Sequence, residues 1–146
     1  IKQIDSQLKK WQQAKICVLP QNGWIRTIRK ALGMTINQLA KRLGVDRSRV
    51  VRIESDETKE ALTIKTMVSV ADALNCDFVY ALVPRKPIQK MIEQQAHKVA
   101  TSQINSISYN MSLENQALSV RQNEEQIEEL KSKLLERSSK KLWGDE

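Results

Sequence analysis

The sequence predicts a mainly all-α protein: a compact four-helix domain, one short strand and a C-terminal helical hairpin. Three observations carry this expectation. Apolar residues recur at three- and four-residue spacing through most of the chain. Glycines and capping residues divide its first half into short segments of that kind. Only Phe78–Val83 has strand character instead. Of 146 residues, 40% are hydrophobic, enough for a small core. The expected division is an N-terminal helical arm over 1–20, a four-helix domain with its terminal strand over 21–84, and a helical interaction region over 85–146.

In chain order, Ile25, Ile28 and Leu32 form the first stripe, which stops at Gly33, a residue able to take a left-handed cap. Thr35 offers an N-cap, and Gln38 three residues on completes a capping box. The helix opened there carries Leu39, Ala40 and Leu43 inward and stops at Gly44. Asp46 caps a third helix, DRSRVVRIES, and Thr63 opens a fourth with Met67, Val70, Ala71 and Leu74 on one face. Phe78, Val79, Tyr80, Ala81, Leu82 and Val83 then read as a strand, closed by Pro84 and Pro87. A lone strand must find partners for its backbone groups. The candidates are the same strand of a second subunit, which would make a homodimer, and the short ICVL at Ile16–Leu19.

Beyond the prolines, Ile88, Met91, Ile92, Ala96, Val99, Ala100, Ile104 and Ile107 form a helical stripe. After Ser106–Asn110 a second one follows with Leu113, Ala117, Val120, Ile127, Leu130 and Leu134. The two make a hairpin that packs on itself or across a dimer. Its stretch EEQIEELKSKLLER mixes signs at short spacing, as a solvated helical face does.

Charge separates the segments further. Between Trp24 and Ile53 the cations are Arg26, Arg29, Lys30, Lys41, Arg42, Arg47, Arg49 and Arg52, against Asp46 alone. That segment carries the chain's whole formal charge of +7. A positive field confined to one segment is the footprint of a polyanion-binding surface. The tail from Ile88 to Glu146 has no basic excess, which suits protein contact. No apolar run approaches the roughly 20 residues of a membrane span, and the opening IKQIDSQLKKWQQ lacks the apolar core of a signal peptide. Cys17 and Cys76 are far apart and read as buried small hydrophobes rather than as a disulfide or zinc pair. These features point to the cytoplasm and away from a membrane.

The third helix has two dissimilar sides. Advancing about 100° per residue puts Val50 and Ile53 together, facing the core. Ser48, Val51 and Arg52 face away, flanked by Arg47 and Arg49. An exposed valine among arginines suits a helix laid in the major groove, where arginine grips guanine and a methyl group touches thymine.

The stretch IRTIRKALGMTINQLAKRLGVDRSRVVRIES resembles the Xre/Cro type of helix-turn-helix. The resemblance is carried by Leu39-Ala40, Leu43-Gly44-Val45, Val50 and Ile53-Glu54. It implies a helix-turn-helix four-helix domain that binds double-stranded operator DNA, with Arg47, Ser48 and Arg52 as base readers. Thr35, Asn37 and Gln38 are implied as phosphate contacts at the start of the second helix; Arg49 and Val51 flank the reading residues. Arg29 and Glu54 match a structural ion pair of that pattern. Two positions depart from it. Ile36 stands where a phosphate-touching glutamine is usual, and the expected loop SDETKE is acidic where relatives place glycine and lysine.

A longer resemblance joins Gly23-Trp24-Ile25-Arg26, Arg29-Lys30-Ala31-Leu32-Gly33-Met34, Val79-Tyr80-Ala81-Leu82-Val83-Pro84 and Leu142-Trp143. Together they look like the mobile mystery protein A family. That resemblance implies an antitoxin beside a Fic-domain toxin, repressing its own operon. The segment Asn110–Asn115 nearly matches a Fic-inhibitory pattern, with Asn110 where serine or threonine is wanted. Ser112, Glu114 and Asn115 are thereby the candidate partner-inhibiting residues; the same segment also reads as an ordinary cap for a helix starting near Leu113. A stand-alone dimeric regulator without a toxin partner is the alternative. His97 is the only histidine, no catalytic, metal or cofactor motif accompanies it, and the chain is read as a non-enzyme.

Overall fold

The computed structural model describes residues 1–113, 120–137 and 139–144. It divides into two compact units. One is continuous, Trp11–Leu82; the other joins Ile1–Lys10 to Val83–Glu146. The opening residues, expected as an arm of their own over 1–20, are thus split between the two.

The continuous unit holds all but the first residue of a 3₁₀ segment (Lys10–Ile16) and then four helices: α2 (Trp24–Ala31), α3 (Ile36–Leu43), α4 (Arg47–Thr58) and α5 (Ile64–Ala73). Local chemistry sets their starts. Thr35 Oγ1 accepts from the Gln38 amide at 3.2 Å, while Gln38 Oε1 accepts from the Thr35 amide at 2.8 Å. This is the expected capping box. Asp46 caps α4 and Thr63 caps α5, each accepting an amide three residues on. Gly44 ends α3 at φ +66, a left-handed conformation that a side chain would strain.

The inward stripes meet in one core of Ile25, Leu39, Ala40, Val50, Ile53, Val70 and Leu74. Leu39 and Val50 have no exposed surface at all. Burial of such side chains stabilises the domain by about 1.5–3 kcal/mol each. Leu32, assigned to the inner stripe of α2 from its spacing, follows the last turn and is 56% exposed.

Helix α4 is longer than expected. Asp56–Thr58 continue it beyond DRSRVVRIES, so Asp56 and Glu57, two acidic residues of the expected loop, lie in its last turn. No strand forms among the described residues, and the expected Phe78–Val83 strand is corrected to a segment without regular secondary structure or a ladder. Ile16, the start of the intrachain candidate ICVL, instead ends a 3₁₀ segment. A strand is defined by its neighbour, and among the described residues this segment has none. Cys76, expected to be buried, is half-buried against the core, whereas Cys17, expected to be buried as well, is exposed.

The other unit contains α1 (Lys2–Lys9), α6 (Ile88–Leu113), α7 (Val120–Glu136) and a 3₁₀ segment (Ser139–Trp143). The expected break at Ser106–Asn110 is absent, and α6 runs straight through it. Helices α6 and α7 lie antiparallel: His97 faces Glu128 at 3.6 Å, and Lys90, Glu93 and Gln94 gather with Lys131. Ala96, Ala100 and Ile104 are buried, along with Leu142, whose carbonyl accepts from Gln95 at 2.8 Å. The start of α6 is capped from a distance, since Asp5 accepts from the Ile88 and Gln89 amides at 2.8 and 3.4 Å.

Candidate nucleic-acid interface

The turn between α3 and α4 determines what α4 can present. Ala40 is small enough to be buried there, at 4% exposure, and Gly44 reverses the chain. Asp46 then starts α4 with one carboxylate oxygen, Oδ1, accepting twice, from the Arg49 amide at 2.8 Å and the Ser48 hydroxyl at 2.5 Å. The Ser48 hydroxyl, the Arg49 amide and the Arg52 charge hold the Asp46 carboxyl below its ordinary value. The only anion of the basic segment is therefore ionised and serves as a cap.

With Val50 and Ile53 in the core, Arg47, Ser48, Arg49, Val51 and Arg52 are all exposed. Val51, at 48%, is an apolar patch among cations. The expected reading residues are thus brought to one outward side of a single helix. The basic run does not act as a block, however. Arg29 is buried and donates to Glu54 from Nε at 2.5 Å and from a terminal nitrogen at 3.2 Å. Its other terminal nitrogen holds the Met34 carbonyl at 2.9 Å, so α2, the following turn and α4 are tied together. Arg42 donates to the Ala73 carbonyl at the end of α5. Arg26, Lys30, Lys41, Arg47, Arg49 and Arg52 are exposed and form no ion pair among the described residues, which leaves them to supply the positive field.

At the start of α3, Thr35, Asn37 and Gln38 are all exposed. The side chains of Thr35 and Gln38 are occupied by the capping box, whereas the Ile36 and Asn37 amides donate to nothing among the described residues. Ile36 itself leans on the core, which explains an apolar residue at that position.

Sequence reasoning missed Glu57. From the last turn of α4 its carboxylate accepts from the Trp24 and Ile25 amides at 2.8 and 3.0 Å, capping α2 across 33 residues. Gly23 permits this: its φ is +80, and a Cβ there would lie 2.5 Å from a Glu57 oxygen. Arg42 was missed as a cap as well. Counting α4 one turn further would have placed Glu57 near Glu54, on the side facing α2.

His97 is exposed and faces Glu128. Ser112 lies in the last turn of α6, where side chains are not described; Glu114 and Asn115 lie outside the described residues. No helix among the described residues is long and apolar enough to cross a membrane.

Residues 25–80 match the helix-turn-helix family model. No curated protein and no solved structure matches the chain. The chain therefore carries a helix-turn-helix domain of the Xre type, a DNA-binding regulatory domain, over α2–α5 and the segment that follows.

Proposed function

We propose that this protein is a sequence-specific transcriptional repressor that binds its operator as a homodimer, serves as the antitoxin of a Fic-type module and controls its own operon. The observation that carries the DNA reading is the exposed side of α4, where Arg47, Ser48, Val51 and Arg52 stand clear of the core and the arginines have no ion-pair partner among the described residues. In this reading Arg47 and Arg52 grip guanine edges and Val51 touches thymine. Ser48 already donates its proton to Asp46, so it can only accept, which suits the amino group of adenine or cytosine. The free Ile36 and Asn37 amides, with Thr35, Gln38 and Arg49 beside them, meet phosphates.

The homodimer rests on the strand-like sequence of Phe78–Val83, paired with its own copy across a two-fold; helix-turn-helix proteins read paired half-sites in that way. The antitoxin role rests on the resemblance through Gly23–Met34, Val79–Pro84 and Leu142-Trp143. The tail around Ser112, Glu114 and Asn115 would oppose the toxin.

Two measurements test this. Binding to the DNA upstream of the gene should fall steeply as salt rises and stay well above binding to random DNA at every salt concentration. Equal affinity for both DNAs would overturn the repressor reading. The full chain used as bait should retain a Fic-domain protein and suppress its AMP transfer. Retention of none would reduce the function to a stand-alone dimeric regulator.

A further inference from the structure

Outside Trp24–Ile53 the chain is formally neutral, but folding sorts its charges. In the unit that joins Ile1–Lys10 to Val83–Glu146, Asp5 brings α1 against the start of α6 by capping the Ile88 and Gln89 amides. Six cations meet there: Lys2, Lys9 and Lys10 from α1 and its end, Arg85 and Lys86 just before α6, and Lys90 in its first turn. Over residues 1–10 and 83–90 the only acidic residue is Asp5, and it is engaged as a cap. All six cations are exposed, and none forms an ion pair among the described residues. Lys86 donates to Gln94 at 3.0 Å, and Glu93, the next acidic residue along α6, accepts from Gln89 at 3.0 Å.

Stability does not account for this arrangement. Cations at the start of a helix oppose its dipole, and Arg85, Lys86 and Lys90 all stand at the start of a 26-residue helix. On α1, Lys2, Asp5 and Lys9 are spaced by three and four residues and share one side, so two lysines flank the carboxylate that caps α6. Lys2 and Lys9 are about 10 Å apart along that helix, too far to converge on one small anion. Such spacing suits a row of phosphates, and duplex DNA carries a charge about every 1.7 Å. The recognition segment has the same pattern, many cations around a single acidic residue, Asp46, that is likewise engaged as a cap. We propose that this corner is a second phosphate-binding surface, which holds the backbone of the duplex beyond the bases that α4 reads. Docking of the helix-turn-helix domain keeps those phosphates at high local concentration for the attached unit. The inference rests on the DNA reading above and adds a sequence-independent contact to it.

The test measures the full chain on upstream and random duplexes over a range of salt. Lys9→Gln with Arg85→Gln and Lys90→Gln should flatten the slope of log affinity against log salt by about 2–3 on both duplexes, since each phosphate contact contributes about 0.9. The ratio of the two affinities should stay at its wild-type value, and so should the melting temperature, because the three side chains are exposed. Taking the same charge from elsewhere in the unit, by Lys98→Gln, Arg121→Gln and Lys141→Gln, should leave the slope nearly unchanged. An unaltered slope in the first variant, whether or not it loses binding to phosphatidylserine vesicles, or an equal fall in the second would overturn the second surface. A wild-type chain without operator preference defeats the repressor reading alone, because the slope on random duplex still tests the corner.

Discussion

Asp5 caps a helix that begins 83 residues further along the chain: its carboxylate accepts from the Ile88 amide at 2.8 Å. A helix start leaves several amides without intrahelical partners, and a carboxylate there satisfies donors while favouring the positive end of the helix dipole. Asp5→Ala should cost about 1 kcal/mol, as loss of a cap commonly does. Hydrogen exchange should register it as faster opening in α6 and no change in α3 or α4.

The Arg29–Glu54 pair, both partners under 10% exposed, makes the opposite kind of prediction. Removing one member strands a charge in the core, so Arg29→Met should destabilise the domain by about 3–5 kcal/mol. Replacing both with apolar residues should recover much of that loss. Thermal denaturation of the single and double variants measures the difference.

Recognition should separate cleanly from stability. Arg47 and Arg52 are exposed and contribute no packing, so Arg47→Ala with Arg52→Ala should leave the melting temperature nearly unchanged. Operator preference should vanish, each bidentate contact being worth about 1–3 kcal/mol of discrimination. Competition between operator and random DNA reads this out; a preserved preference would move base reading away from α4.

Glu57 and Gly23 act as one device. Glu57→Ala should cost about 1 kcal/mol through the lost cap. Gly23→Ala should cost more, combining a strained φ of +80 with a clash against Glu57. In the double variant the clash disappears and the strain remains, so its cost should fall short of the sum of the single costs. Urea denaturation of the three variants checks the ordering.

The Asp46 carboxyl gives a pH prediction with a definite sign. Its folded value lies below the ordinary 3.8, so its contribution is fully present above that value. It is lost as pH falls through the depressed one. Asp46→Asn keeps a good capping residue and should remove this acid dependence. Stability profiles that run parallel below pH 4, a range set by the ordinary aspartate value of about 3.9, would show that Asp46 titrates alike in both states.

What was legible in the sequence was local. Thr35 and Gln38 stand three residues apart, and their capping box follows from that spacing; Asp46 and Thr63 are legible for the same reason. The outward side of α4 came from helical periodicity alone, and the Arg29–Glu54 pair from resemblance. Glu57 and Asp5 were not legible, because each caps a helix far away in sequence and only tertiary placement makes it a cap. The expected α4 is too short, since Asp56–Thr58 look like loop until Glu57 is seen to have a use inside the fold. Phe78–Val83 carries a strand's pattern, yet whether it becomes one depends on a neighbour that a single chain does not provide.

Because Ile1–Lys10 belongs with Val83–Glu146, the recognition domain is an insertion in a unit built from both ends of the chain. It can be excised as one uninterrupted stretch, whereas the flanking unit needs a splice joining residue 10 to residue 83. Cutting the chain after Pro87 leaves Lys2–Lys9 without the helix that Asp5 caps. Synthesis imposes the same asymmetry in time: on the ribosome, Trp11–Leu82 is complete while α1, made before it, still waits for α6.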